Sequence, residues 1–405
     1  MFYPAHLNLQ NRKCLVFGGG IVAERKVISL LRCGGQVTLI SPETTTVLYQ
    51  LSQADWIQWR QRQFQPGDSA GMFLVCAATD SPEINTRVFH DAHEEHGINL
   101  VNVVDVIPEC TFAAASVVTH GDLTISISTS GKSPAISRRI REYLETKFAA
   151  ESLYTTPIEA KFTPSRGKYS HPYPVYFLVE NRRCKIIRNN NSMSEEIGRR
   201  VHLLKQCGAS IEQIDAAHED LNRISDAFLV YFDNIESNCG DSAFAARTGN
   251  GATRVPNRIQ LFECLNNAKL GTFVTPILVV DGNMIIGITA KTPTEKAQET
   301  AKHLQTELAN QFESNGYGPF IDFLGALRPL VMDAVPTQRY RQEFFENLID
   351  QVPLHQRGAG EGKKCCLRFE NPGCSAECAF NLVCQGQGDR VRQHVLHQIG
   401  DRKIN

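Results

Sequence analysis

The sequence predicts an α/β protein: a parallel sheet flanked by helices, present twice, followed by a helical region and a cysteine-rich tail. Three observations carry this. Residues 13–17 (K-C-L-V-F) are a short apolar run, glycines follow at 18–20, and a helical pattern over 22–32 leads to a second run at 36–40. Strand, helix and strand within about 30 residues make a βαβ unit with a right-handed crossover. Segments from this front part recur in the same order further along, and five of the 13 cysteines crowd into residues 365–384.

Taken in order, Cys33-Gly34-Gly35 ends the first helix, and further strands are expected at 72–77 and 100–104 with a helix over 81–96 between them. Residues 123–128 alternate like a half-exposed strand. Residues 133–147 read as a helix with Ser133 as cap and Pro134 at its first position. Residues 151–172 carry Pro, Ser, Thr and Gly with little periodicity and read as a linker.

The repeat is visible in three segments. P-A-H-L-N-L-Q-N-R-K-C from Pro4 matches P-V-Y-F-L-V-E-N-R-R-C from Pro174, an offset of 170. E-R-K-V-I-S-L-L-R-C-G from Glu24 matches G-R-R-V-H-L-L-K-Q-C-G from Gly198, an offset of 174. T-F-A-A-A-S-V-V-T-H-G-D from Thr111 matches T-F-V-T-P-I-L-V-V-D-G-N from Thr272, an offset of 161. Three matches in one order indicate duplication. The units are therefore a front repeat (1–150), a linker (151–172), a rear repeat (173–312), a helical region (313–357) and a tail (358–405).

Composition narrows the function. Formal net charge is −1, which gives no electrostatic case for nucleic acid. No apolar run is long enough to cross a membrane, and the N-terminus lacks the pattern of a signal peptide. A cytoplasmic protein is expected, in which scattered cysteines act as small buried apolar residues.

The strongest local motif is G-G-G-I-V-A-E-R-K, Gly18 to Lys26. Gly18 and Gly20 permit a tight turn and a close backbone approach. Ala23 takes the third small position. The following helix start, from Gly19 through Ile21 and Val22, offers amides and partial positive charge to a pyrophosphate. This makes a Rossmann-like dinucleotide site. The second strand ends in Ser41, Pro42 and Glu43. Glu43 is either the acceptor for a ribose hydroxyl or a solvated turn residue. No arginine immediately follows, which favours NAD over NADP.

The run from Asn11 to Lys26, with A-A-T-D (Ala77 to Asp80), N-V-V-D (Asn102 to Asp105) and S-G-K-S-P (Ser130 to Pro134), resembles the precorrin-2 dehydrogenase/sirohydrochlorin ferrochelatase module of siroheme synthases. The resemblance covers residues 1–150. Segments 317–331 and 339–350 look like that family's dimer-associated helices. The resemblance implies oxidation of precorrin-2 to sirohydrochlorin with NAD, and many members also insert ferrous iron. It adds Thr79 and Asp80 to the cofactor site and makes Asp105 the acid–base residue. Loss of a hydride and protons, and displacement of pyrrole protons by metal, both call for such a group. Without that role Asp105 is a strand-end residue capping a loop. Asn102, Thr129, Lys132 and Arg138 are substrate-binding candidates, the cations because the tetrapyrrole is rich in carboxylates; a solvated helix start also explains them. The sequence departs from the family at Val106, at F-A-A-A-S (Phe112 to Ser116) and at Thr129. The resemblance further implies a homodimer or, given the duplication, an internal pseudo-dimer. It also implies a separate methyltransferase that supplies precorrin-2.

In the rear repeat the glycines become Arg188, Asn189 and Asn190, side chains that would obstruct a pyrophosphate, and Asp105 aligns with Asn266, an amide that cannot act as a base. His90, His93 and His96 lie at three-residue spacing and read as an exposed helix face or a metal site. Cys365, Cys366, Cys374, Cys378 and Cys384 fit no zinc-ribbon or ferredoxin spacing. They read as a metal or iron–sulfur site, a small packed module, or reactive thiols. Two functions compete with the NAD-dependent enzyme: a non-catalytic tetrapyrrole or metal carrier, and a chelatase without oxidation.

Overall fold

The computed structural model describes residues 2–104, 106, 109–151, 171–188, 194–215, 226–233, 236–237, 245–248, 251–254, 261–264, 271–292, 294–313, 315–335, 337–349, 389 and 393. The front repeat contains β1 (Tyr3–Leu7), β2 (Lys13–Phe17), α1 (Ile21–Arg32), β3 (Gln36–Ile40), α2 (Thr46–Gln53), β4 (Ile57–Arg60), β5 (Leu74–Ala77), α3 (Pro82–Phe89) and β6 (Val101–Val103). β7 (Phe112–Ala114), β8 (Ser116–His120), β9 (Leu123–Ser128) and α4 (Pro134–Glu151) complete it. The rear repeat contains β10 (Tyr173–Phe177), β11 (Arg183–Arg188), α5 (Glu195–Gln206), β12 (Ser210–Asp215) and β13 (Leu229–Asp233). A small antiparallel sheet follows, of β14 (Glu236–Ser237), β15 (Ala245–Thr248) and β16 (Gly251–Arg254). Then come β17 (Phe262–Cys264), β18 (Phe273–Val274), β19 (Ile277–Asp281), β20 (Met284–Ala290) and α6 (Glu295–Phe312). Helices α7 (Tyr317–Ala334) and α8 (Gln338–Ile349) close the described chain, apart from two tail residues.

Both repeats build a parallel sheet of the same order, the rear one without a described counterpart of β4. The order is β4-β3-β2-β5-β6 in front and β12-β11-β13-β17 behind. Helices α1 and α5 end alike, in a left-handed glycine after a cysteine. Gly34 has φ +81° and Gly208 φ +83°. The amide of Gly35 bonds Leu30 O and that of Gly34 bonds Leu31 O; Ala209 bonds Leu204 O and Gly208 bonds Lys205 O. This double bond pattern satisfies carbonyls that the last helical turn leaves open. On α1 the buried residues Ala23, Val27, Leu30 and Leu31 recur at i, i+4, i+7 and i+8 and face the sheet.

The repeats also exchange strands. β1 pairs antiparallel with its own counterpart β10, Ala5 opposite Val175, while β7 pairs with β10 and β18 with β1. In a second antiparallel sheet, β19-β20-β9-β8, Ser126 lies opposite Gly287. Those partners are related by the repeat offsets, 170 for Ala5 and Val175 and 161 for Ser126 and Gly287. A local two-fold axis therefore passes through both sheets. A Cβ on Gly287 would lie 2.7 Å from Ser126 Oγ and 2.8 Å from Pro276 Cγ, so this crossing requires glycine.

The axis carries a buried polar network. His6 Nε2 lies 2.9 Å from Ser126 Oγ, which lies 3.2 Å from the Tyr176 hydroxyl; that hydroxyl donates to Ile285 O at 3.1 Å. Burial pushes the His6 pKa from 6.5 down to about 3. The unfolded chain therefore binds a proton that the folded one refuses, between about pH 6.5 and pH 3. Stability from this group is complete above pH 6.5 and falls as the pH drops through that window. Urea melts should lose roughly 2–3 kcal/mol through His6 between pH 7 and pH 4.5, and His6→Gln should remove that part of the slope. An unchanged slope in the variant would contradict the assignment.

α7 and α8 fold back onto the chain. Phe320, Ile321, Leu324, Leu327 and Val331 of α7 join the core formed by Ile136, Ile140 and Leu144 of α4, with Leu304 and Leu308 of α6.

Several expectations change. The strand expected at 72–77 begins at Leu74, and the helix expected over 81–96 splits. After α3, residues His90–Glu95 form a π-helical turn. The cause is Asp91, whose buried carboxylate accepts from the amides of Gly67 (2.6 Å) and Ser69 (3.2 Å) and ties this turn to a neighbouring loop. Most of the linker (152–170) lies outside the described residues. So do Asp105, Asn189, Asn190 and Asn266, and Cys365, Cys366, Cys374, Cys378 and Cys384. No helix among the described residues is long and apolar enough to cross a membrane.

Candidate functional site

The strand order reverses between β2 and β5, and α/β sheets bind ligands at the carboxyl ends of the strands beside such a point. The glycine turn sits there. Gly18 has φ +103°, and a Cβ on it would lie 2.1 Å from Ala78 O beyond β5. A Cβ on Gly19 would lie 1.8 Å from Glu43 O, and Gly19 O accepts from the Thr45 amide at 2.9 Å. Gly18 and Gly19 thus pack the turn between its two walls. Gly20 differs. It has ordinary extended backbone, and a Cβ there meets nothing within 4 Å.

Gly20 is the N-cap of α1, and no side chain caps that helix. Helices α2, α3, α5 and α6 are capped by Thr45, Ser81, Ser194 and Thr294. Uncapped amides beside open space at a helix start fit an anion. Ile21 and Val22 are 62% and 45% exposed at this rim, apolar surface of the kind a bound ligand covers. The residues present therefore fit a dinucleotide pyrophosphate.

The walls hold the other cofactor candidates. Ser41 Oγ donates to Glu43 O at 2.6 Å, fixing the turn through Pro42; both Pro42 and Glu43 are exposed. On the β5 side the amide and hydroxyl of Thr79 donate to Asn85 Oδ1 at 3.1 and 2.8 Å, and Asn85 Nδ2 donates back to Thr79 O. Asp80 follows, exposed. Gly18 and Gly19 thus lie against both loops, the one through Pro42 and Glu43 and the one that leads from Ala78 into Thr79 and Asp80, with Gly20, Ile21 and Val22 next in the chain. Val104, whose amide bonds Ala77 O at 3.0 Å, is the last described residue before Asp105, which itself lies outside the described residues.

The substrate candidates divide. Asn102 is buried on β6; its Oδ1 accepts from Lys26 Nζ at 2.6 Å and its Nδ2 donates to Phe112 O at 3.0 Å. The Thr129 hydroxyl accepts from the Ser133 amide at 3.1 Å and so serves the start of α4. Lys132 pairs with Asp322 of α7 at 2.7 Å, and Arg138 lies 3.8 Å from Glu346 of α8. Arg328 of α7 donates to Gly131 O. Lys132 and Arg138 are thus engaged by the C-terminal helices. A tetrapyrrole carboxylate would have to displace Asp322 or Glu346 to reach them.

The histidines do not converge. His90 pairs with Glu94, His93 Nδ1 bonds Ile98 O, and His96 lies 3.7 Å from Asp91. Among the described residues no group of His, Cys, Asp and Glu could hold a metal.

In the rear repeat the helix start is closed. Ser194 Oγ accepts from the Ile197 amide at 3.3 Å, the bond that α1 lacks. The Lys26–Asn102 pair has a counterpart too. Arg200 donates through Nε and Nη2 to Glu263, both at 3.0 Å, and the amide and hydroxyl of Thr275 complete that carboxylate. Sequence alone assigns Ser194 and Lys26 no role of their own. The signal for Lys26 was a paired change in the repeat alignment, Lys26 to Arg200 with Asn102 to Glu263. Ser194 lay in a loop of different length and gave no such signal.

Comparison with known proteins places the class first. Residues 5–116 match the family described as putative NAD(P)-binding, so the Rossmann-like front repeat is similar to NAD(P)-binding units. Residues 120–147 match the central family of sirohaem biosynthesis proteins, and the resemblance to the siroheme synthase module holds across both segments. Siroheme synthase 1 of Pectobacterium atrosepticum is 40% identical over 149 residues, 37% of this chain and 31% of that protein. The siroheme synthase of Photorhabdus laumondii is 41% identical over 144 residues, 36% of this chain and 30% of that protein. The chain thus spans about a third of the length of these curated relatives. Among solved structures, the precorrin-2 dehydrogenase SirC aligns over 35% of this chain and 68% of its own, with 25% identity and a TM-score of 0.32.

Proposed function

We propose that the chain oxidises precorrin-2 to sirohydrochlorin with NAD and inserts ferrous iron into the product. The observation that carries this is the contrast between two helix starts: α1 uncapped beside an open Gly20, α5 closed by Ser194. The similarity of residues 5–147 to siroheme synthases supplies the substrate class.

Bound in the crevice, NAD supplies the hydride acceptor. The amides at the start of α1 hold the pyrophosphate, and Glu43 receives the ribose hydroxyls. One hydride leaves a macrocycle carbon with its electron pair, and Asp105 takes the proton lost with it. In iron insertion the substrate metal displaces two pyrrole protons, and Asp105 accepts them in turn on this reading.

The rear repeat acts as the partner that a homodimer would otherwise supply. The exchanged strands and the return of α7 and α8 onto α4 support this intrachain reading. Sedimentation of the whole chain should give one chain per particle; a two-chain particle would favour pairing through residues 317–350.

The direct test is anaerobic turnover of precorrin-2 with NAD, followed as NADH absorbance and then with ferrous iron added. NADH formation followed by siroheme is expected. Siroheme from supplied sirohydrochlorin with no NADH from precorrin-2 would leave a chelatase alone. Absence of both signals would refute the enzyme.

A further inference from the structure

Lys26 and Arg200 occupy equivalent places on α1 and α5, and Asn102 and Glu263 equivalent places on β6 and β17. The hydrogen bonds fix this equivalence independently of sequence. Thr111 N bonds Val101 O and Thr272 N bonds Phe262 O, both at 2.9 Å, and the two threonine hydroxyls accept from Val101 N and Phe262 N.

The two pairs differ in charge. Arg200 and Glu263 are buried, and every polar contact of that carboxylate is internal. Lys26 is half-buried, and its partner is a neutral amide. A buried charge is normally balanced by an opposite one. The rear repeat obeys this with Glu263, whereas Asn102 gives Lys26 a hydrogen bond and no countercharge. Through Asn102 the lysine reaches β6, the strand that leads into the N-V-V-D segment. Burial pushes the Cys110 thiol up while Lys26 pulls it down, which places the ammonium's field in that segment.

We infer that Lys26 anchors a carboxylate of the substrate in the working repeat, and that Glu263 cancels the same cation where no substrate binds. This rests on the tetrapyrrole reading above, since that substrate is a polycarboxylate. Asn102 holds the ammonium in place through one N–H; the ammonium's remaining donors suit a carboxylate entering at the sheet end.

The test titrates whole-chain protein with sirohydrochlorin, with NAD in parallel. Lys26→Met should weaken sirohydrochlorin binding about 10- to 100-fold, the range of a charge-assisted hydrogen bond. Lys26→Arg should recover most of it, and NAD affinity should not move. Asn102→Glu recreates the rear pair. It gives up the Asn102 Nδ2 bond to Phe112 O and so should melt somewhat lower, but it should keep NAD affinity and lose sirohydrochlorin to a similar degree, which answers the case in which Lys26→Met fails to fold. Wild-type sirohydrochlorin affinity in either variant would overturn the inference. So would a joint fall of NAD affinity and melting temperature in both, the mark of a structural brace. Failure of the wild-type protein to bind sirohydrochlorin would instead strike the tetrapyrrole reading.

Discussion

Gly20→Val should fold with the wild-type melting temperature and bind NAD at least about 100-fold more weakly, a loss of about 2.7 kcal/mol. The two halves of this result have separate causes. Gly20 has extended backbone that any residue adopts, and its Cβ direction is open, so the protein itself resists nothing. In the proposed site that open space would hold the pyrophosphate against the helix amides, and a valine side chain would take its place. Gly18→Ala makes the contrast. Its Cβ would meet Ala78 O at 2.1 Å with φ at +103°, so it should lose stability and cofactor together. Thermal melts and NAD titrations on the two variants separate a cradle from a merely tight turn. If Gly20→Val bound NAD normally, the phosphate site would have to lie elsewhere.

Asp105→Asn should lower kcat for precorrin-2 oxidation by about 10²- to 10⁴-fold, the usual contribution of a positioned proton acceptor. NAD affinity should stay unchanged, because the phosphate cradle lies on another loop. An interaction made only in the transition state lowers kcat and kcat/KM together, so KM should move little. Stopped-flow NADH formation with saturating NAD measures this. A variant that keeps wild-type kcat would return Asp105 to the status of a loop cap.

The parts of this fold that were legible in the sequence are local. β2, the glycine turn, α1 and β3 follow from a short apolar run, a glycine triplet and a 3.6-residue period, all within 30 residues. The residues of the proposed cofactor site were named for the same reason: the glycine turn, residues 41–43 and residues 79–80 each follow a strand that the pattern reveals. The exchanged sheets were not legible. β1 finds its partner 170 residues away, and nothing within P-A-H-L predicts that strand β10, rather than a near neighbour, will pair with it. The π-helical turn escaped because Asp91 takes its shape from the amides of Gly67 and Ser69, a contact outside any helical window. The ion pairs of Lys132 and Arg138 were not legible either, because nothing in the local sequence shows that α7 and α8 return to them with Asp322 and Glu346.

The repeats therefore diverged at three matched points: Gly20 against the Ser194 cap, Asp105 against Asn266, and Lys26–Asn102 against Arg200–Glu263. The most direct measurement of this asymmetry is the stoichiometry of NAD binding to the whole chain by isothermal titration. The account predicts one NAD per chain, with the signal lost in Gly20→Val. Two NAD per chain, or none, would contradict it.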